Sequence, residues 1–314
     1  MTGANPIRVL LGPQSPAPNI ADAVANAGLP DGPLAVISAA WQEAEGDLGE
    51  LGELLARPLE DLHLYKRVED LMAGDPALEA AARLRQDRLV EQQRLYRLRL
   101  KQLSVAARHM LNAKGDADAI AAEQRHAVAQ LRALDRHHLD RSESIWQTFV
   151  AAYNPDSYPA LAAQVRELGD IVQRCAGVVI TGGNVAVLIN RMRLLGLDKL
   201  LESRNIVAWS AGAMALTERI VLFHERSPEG RRDAEVLGAG CAVIPDYVVL
   251  PNAKGRLRTG YRQRMGLLCR RFSPAACVTL DNGASLTLDA SGVKSADEAW
   301  RLDRGGRLVR LRPE

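Results

Sequence analysis

Residues 205–216, NIVAWSAGAMAL, decide how the chain folds. The apolar run Ile206-Val207-Ala208-Trp209 reads as a buried strand that stops at Ser210. Small residues follow at once, Ala211-Gly212-Ala213, and a helical pattern begins. A strand that passes into a helix through one serine flanked by small residues makes a sharp turn at the carboxyl edge of a sheet. The turn lifts the hydroxyl above the sheet, and the helix that starts there aims backbone N–H groups and its positive dipole end at the same space. Ser210 is the candidate nucleophile, and the N–H of Ala211 is a candidate oxyanion donor.

A second strand end, VVITGGN (178–184), offers a further donor from Gly182 or Gly183, while Asn184 is placed to cap the next helix. Upstream, strands at 7–12, 33–40 and 59–65 alternate with helices at 19–28 and 46–57, with Asn19 and Gly28 as cap and stop of the first helix. Downstream come helices at 158–175 and 185–197, a β run at 219–225, a strand at 247–252 and a helix at 256–272. Paired short strands at 276–281 and 284–289 follow, then a hairpin turning at Gly305-Gly306. Strands alternating with helices predict an α/β fold with a mostly parallel sheet covered on both faces.

Between the third and fourth strands that rhythm breaks. A pattern without Gly or Pro after Pro76 runs to about Asn112, with Leu89, Tyr96, Leu100, Leu103, Ala107 and Met110 on one face. After a turn at Gly115 a second long helix carries Ile120, Ala127, Leu131, Leu134, Ile145 and Phe149 on one stripe and ends near Asn154-Pro155. Two long helices joined by a short turn predict an antiparallel hairpin. The expected division is an α/β unit of residues 1–70 and 155–314 and an inserted helical hairpin of residues 71–154. Eight Lys and Arg residues lie between Arg83 and Arg108. Two readings stay open: a solvated face whose long side chains cover apolar surface, or a homodimerising arm or lid over the site.

Composition narrows the function classes. In 314 residues, 47% are apolar and 25% charged, as in a globular protein. A net charge of +2 and 4% aromatics give no reason to expect a nucleic-acid partner. No apolar run reaches the roughly 18 residues of a membrane span, and no signal peptide is visible at the start. Cys175, Cys241, Cys269 and Cys277 form no CxxC pair and read as buried free thiols of a reducing compartment, so the expected location is cytoplasmic. Ligand spacings for a metal are absent near the turns, and neither metal nor cofactor is expected. Glu43 and Glu45 read either as cleft-lining acids or as acids of a helix start.

TGGN, a helix ending RLLGL, and then AWSAGAMAL together resemble the serine peptidases of the peptidase E and cyanophycinase type. VLLGPQSPAPN (9–19) and LAVISAAWQEAE (34–45) resemble that family's first two strands. The likeness covers most of 7–65 and 158–290, and the hairpin is extra. It implies a three-layer fold like the flavodoxin-like class I glutamine amidotransferases, with serine in place of their cysteine. It also implies Ser210 as nucleophile, Gly182, Gly183 and Ala211 as the oxyanion region, and Glu225 as the acid. At the position of the family's histidine stands Asn252, whose amide has no basic lone pair. Family members cleave aspartyl or β-aspartyl links, which points to a small acidic peptide or amide as substrate. Among Lys254, Arg256 and Arg258, Arg256 is then expected to hold the substrate carboxylate, with Trp209 and Asn184 beside it.

Three accounts of the missing base follow. In the first His224 substitutes, although adjacent strand residues face opposite ways, so His224 and Glu225 cannot both face Ser210 without a bulge. In the second a histidine arrives from the hairpin (His109, His126, His137 or His138, the last two read as surface residues). In the third the site is disarmed, and the protein is a binding or scaffold protein assembling through the hairpin. An amidotransferase-like function is a lesser reading, because the turn holds Ser rather than Cys.

Overall fold

Alternating side chains along short central strands sort the core into two layers in the computed structural model, which describes residues 5–224 and 233–313. The chain begins β1 (Arg8–Leu11), α1 (Ile20–Asn26), β2 (Leu34–Ile37), a 3-10 stretch (Ala39–Ala44), α2 (Gly49–Leu55) and β3 (Leu59–Asp61). Four helices follow: α3 (Leu64–Gly74), the long α4 (Pro76–Leu111) and α5 (Ala117–Val150), and α6 (Pro159–Arg174). Next come β4 (Gly177–Ile180), α7 (Val185–Leu194), α8 (Leu197–Leu201), β5 (Ile206–Trp209) and α9 (Ala211–Ala215). The remainder is β6 (Arg219–Leu222), β7 (Glu235–Ala239), β8 (Tyr247–Pro251), α10 (Ala253–Arg256), α11 (Arg262–Phe272), β9 (Ala276–Asp289), β10 (Gly292–Leu302) and β11 (Leu308–Arg310).

The main sheet runs β11-β10-β9-β1-β5-β4-β2-β3, with β8 also paired to β9. From β1 to β3 every pairing is parallel, and from β1 through β11 every pairing is antiparallel. Val9, Leu11, Leu34, Val36, Val179 and Val207 pack on one face against Ile20 and Val24 of α1 and Leu51 and Leu55 of α2. Leu10, Ala35, Ile37, Val178, Ile180, Ile206 and Ala208 face the other layer, with α3 to α9 and the hairpin. Burial on both faces is why these strands read as unbroken apolar runs.

Several expectations need correction. Read from β2, the parallel strands β3-β2-β4-β5 follow the 2-1-3-4 part of the flavodoxin-like order, but the fifth place is taken by the N-terminal β1. The β run expected at 59–65 stops at Asp61, because His63 adopts a left-handed conformation (φ 48°) and α3 starts behind it. The two short strands expected at 276–281 and 284–289 are one strand, β9, which pairs with β10 rather than with itself. The β run expected at 219–225 ends at Leu222, and Glu225 lies outside the described residues. Asn19 does not cap α1: Gln14 Oε1 accepts from the N–H groups of Asn19 and Ile20 at 3.0 and 2.9 Å, and Asn19 Nδ2 donates to the Gly283 carbonyl.

The hairpin shares one core with the sheet, since Leu78, Tyr96, Leu100, Leu131, Leu134 and Phe149 belong to the same buried cluster as Ile180 and Ala208. A buried ion pair fastens it. Arg271 of α11 donates to both carboxylate oxygens of Asp135 on α5 at 2.7 and 2.6 Å, and to the Tyr96 hydroxyl of α4 at 2.7 Å. That hydroxyl donates to Asp135 at 2.9 Å and accepts from the Val236 N–H of β7 at 3.0 Å. Full pairing of this kind is what makes a buried charge tolerable. Beside it, His138 is a core residue at 1% exposure, not the surface histidine expected, and stacks on Tyr96 at 4.2 Å. Among the described residues no helix is long and apolar enough to cross a membrane.

Neither ring nitrogen of His138 makes a well-formed hydrogen bond to the described residues. Burial lowers its pKa below the ordinary 6.5, outweighing the pull of the Leu237 backbone and Asp135. The unfolded chain therefore takes up this proton first, and stability falls as pH drops below 6.5. Urea unfolding of His138→Phe, which keeps a stacking ring, should show a shallower loss of stability than wild type between about pH 7.5 and about pH 5.5. Equal slopes would remove the assignment.

Candidate active site

The backbone at the end of β5 holds a conformation that L residues avoid. Ser210 has φ 47° and ψ −111°, and such strain costs about 1–3 kcal/mol where surrounding structure enforces it. The enforcing contacts are close backbone approaches. The Ser210 N–H donates to the Leu11 carbonyl of β1 at 3.1 Å, tying the elbow to the neighbouring strand. A Cβ on Gly212 would come within 2.5 Å of the Ile180 carbonyl oxygen of β4, so only glycine lets α9 begin there. On the adjoining turn, a Cβ on Gly182 would lie 2.8 Å from the Trp209 ring and 3.1 Å from Ser210 Cβ. Gly183 has φ 131°, and a Cβ there would strike the Ala40 carbonyl at 2.6 Å.

These contacts set the expected oxyanion groups beside the candidate nucleophile. The N–H groups of Gly182, Gly183 and Ala211 make no hydrogen bond among the described residues, and neither does the half-buried Ser210 hydroxyl. All four residues line one cleft of about 1050 Å3. Asn184 sits apart from it and caps α7, its Oδ1 accepting from Ala186 and Val187 at 3.1 and 3.2 Å. Trp209 does line the cleft, tilted against Trp41 at 6.5 Å.

Asn252 reaches the same cleft by a different route. Strand β9 gives one edge to two partners: β8 pairs along residues 276–280, and β1 along 285–288. Since β8 is parallel to β9 and β1 antiparallel, their carboxyl ends point at each other across residues 281–284. The Gly12 N–H donates to the Ala284 carbonyl at 3.1 Å, and the Lys254 N–H to Asp281 at 2.9 Å. Asn282 Nδ2 donates to the carbonyls of Pro13 and Ala17, stitching the 13–18 loop over the cleft. Asn252 follows β8 in a left-handed conformation, φ 55°, which asparagine tolerates better than most residues. It lines the cleft with Arg256, which has no ion-pair partner among the described residues.

No histidine lines this cleft among the described residues. His224 is exposed two residues past β6. His109, His126 and His137 are exposed on the hairpin, and His138 is locked in its core. Glu43 and Glu45 do not line the cleft, and Glu45 is a helix-start acid, the other reading. Glu45 accepts from the N–H groups of Tyr65 and Lys66, both at 2.8 Å, at the start of α3, and Glu43 from the Tyr65 hydroxyl at 3.0 Å. Burial raises the Glu45 pKa against the pull of those two amides. Asp47, Glu50 and Glu53 line the cleft instead. Glu50 and Glu53 lie three residues apart on α2 and Asp47 precedes that helix by two residues; the three-residue spacing in the sequence was the signal to find them. Among the described residues no group of three or more His, Cys, Asp or Glu side chains is placed to hold a metal ion.

No protein-family model matches the chain, and a search of curated proteins finds no match. Among solved structures it is similar to a peptidase from an acI-B1 Actinobacterium, at 13% identity and TM-score 0.45 over 98% of this chain and 97% of that one. It is also similar to a protein from Listeria monocytogenes EGD-e assigned to peptidase E, at 16% identity and TM-score 0.30 over 44% of this chain and 66% of that one. At these values neither likeness carries an argument about activity.

The strain at Ser210 has a measurable consequence. Ser210→Ala keeps the Cβ and its strain, whereas Ser210→Gly relieves it at a cost of about 0.5–1 kcal/mol in chain entropy. In urea unfolding the glycine variant should be the more stable of the two by about 1 kcal/mol. An alanine variant as stable or more so would mean that the turn is relaxed.

Proposed function

We propose that the protein is a serine peptidase-like hydrolase of small peptides or peptide-like amides carrying an acidic group, with Ser210 as nucleophile. What supports the reading is a single observation: a serine held in strained backbone geometry that lines a cleft with three residues whose amide N–H groups make no hydrogen bond among the described residues. In the reaction Ser210 Oγ attacks the carbonyl carbon. The developing oxyanion takes hydrogen bonds from Gly183 and Ala211, the C–N bond breaks and the amine leaves with a proton, and water then hydrolyses the Ser210 ester to free the acid and restore the hydroxyl. Arg256 takes the substrate carboxylate. Asp47, Glu50 and Glu53 oppose a purely anionic substrate and suit one that also carries an ammonium group, as a short peptide does.

Proton transfer is the weak step. An asparagine amide can hold a hydrogen bond but takes no proton, so the serine proton passes to water or to a cleft carboxylate. A hydrolase lacking a triad member retains only about 10³–10⁴-fold over water, from oxyanion binding and positioning. The absence of histidine among the described cleft residues therefore favours a second reading, a binding protein built on a disarmed elbow.

A fluorophosphonate probe separates the two. Labelling of wild type but not of Ser210→Ala is expected for an activated nucleophile, and no labelling across the neutral pH range would overturn the hydrolase. Asn252→His should raise the labelling rate and hydrolysis of aspartyl dipeptides at least about tenfold. No gain in a folded variant would mean that residue 252 does not face the serine.

A further inference from the structure

Five of the eight most exposed large apolar side chains among the described residues stand on α4: Leu84, Val90, Leu95, Leu98 and Val105, at 52, 58, 44, 56 and 37% exposure. The inner face of that helix is already committed, with Leu78, Ala82, Tyr96, Leu100 and Ala107 in the core. Leu84, Leu95, Leu98 and Val105 lie on the opposite face, while Val90 sits to the side with Leu89 and Gln93. An apolar stripe on that opposite face contributes nothing to this chain's own packing, and a contiguous one marks a surface that another protein covers.

The stripe has a heptad spacing. Ala77, Leu84, Glu91 and Leu98 recur every seven residues, and the half-buried Ala81 with Arg88, Leu95 and Gln102 recur in the alternate series four residues on. Alternating steps of four and three make the seam of a two-stranded coiled coil. We propose that α4 pairs antiparallel with α4 of a second copy of this chain, about a two-fold axis between residues 89 and 90.

In this register Arg88 of each copy meets Glu91 of the other, giving two ion pairs at the centre. Leu84 meets Leu95 in the layers on either side, Leu98 fits over the small Ala81, and Ala77 meets Gln102. Charge decides the direction and the register. A parallel pair stacks Arg88 on Arg88 and Glu91 on Glu91, and sliding the antiparallel pair by one heptad sets Leu95 against Glu91. A two-fold contact of this kind closes on itself, so the assembly stops at a dimer. Glu91 pairs within its own helix with Arg94 at 2.6 Å, both side chains more than half exposed, and so is free to accept a second cation.

The test is the mass of the full chain in solution, by light scattering and sedimentation over a concentration series. Wild type should be a dimer. Leu95→Glu, and separately Arg88→Glu, should weaken association at least about tenfold in Kd. The double variant Arg88→Glu with Glu91→Arg should restore it. An equimolar mixture of the single variants Arg88→Glu and Glu91→Arg should form a mixed dimer, since Glu meets Arg at both central positions. All these side chains are exposed, and circular dichroism checks that each variant is folded. A wild-type monomer, or a dimer indifferent to both the leucine and the charge substitutions, overturns the proposal.

Discussion

The backbone carbonyl of Ile180 stands where a side chain on residue 212 would have to be. That contact, 2.5 Å from a Cβ built on Gly212, fixes how closely α9 starts to the end of β4. The chain then has almost no length in which to turn from β5 into the helix, and Ser210 absorbs the whole change of direction in its strained φ and ψ. The same crowding strips partners from the local amides. Gly182 is pressed on Trp209 and Gly183 on the Ala40 carbonyl, and their N–H groups, with that of Ala211, make no hydrogen bond among the described residues. Donors fixed in this way need no rearrangement when charge appears in front of them, which is how such groups lower a barrier.

The part of the site that depends on neighbouring strands of one parallel sheet was legible in the sequence. Strand, serine, small residues and helix at 206–216, and strand, Gly-Gly and capping Asn at 178–184, are local patterns with one geometric solution. The rest depends on pairings between distant segments. Nothing in ACVTLDNGASLTLD states that it is one strand serving β8 along its first half and β1 along its second. Asn-Gly between two alternating runs is the usual sign of a hairpin, and here Gly283, with φ 81°, bends a continuous strand. Without that pairing the placing of Asn252 rested on family likeness alone. His138 was misread for a similar reason. A polar pair in an amphipathic helix looks solvated until a buried tyrosine from the opposite arm is found stacked on it.

An elbow without an imidazole is more informative than a damaged triad. Strain of about 1–3 kcal/mol at Ser210 is a large fraction of a domain's net stability of about 5–15 kcal/mol. A serine needed only to cap α9 would not require it, since its side chain makes no capping bond. The amides of Gly182, Gly183 and Ala211, which make no hydrogen bond among the described residues, fit the same proposal. Both observations support the proposal that the cleft takes a molecule with a carbonyl, carboxylate or tetrahedral oxygen, whether or not it is turned over. Asp47, Glu50 and Glu53 line the cleft together with Arg256, which suits the proposed substrate, one bearing both signs of charge.

The helical insertion joins this site to the rest of the molecule in a way that leaves it unobstructed. Its inner side is held by the Arg271, Asp135 and Tyr96 network and belongs to the core layer of Ile180 and Ala208. The acidic wall of the cleft rises from α2 and the residues just before it, and Leu51 and Leu55 of α2 pack on the opposite face of the sheet. Self-association through the outer stripe of α4 therefore leaves the α2 wall uncovered. It also explains how a 36-residue helix keeps apolar side chains on two opposite faces. One face is bound by the fold itself, and in the proposed dimer a second helix with the same sequence covers the other.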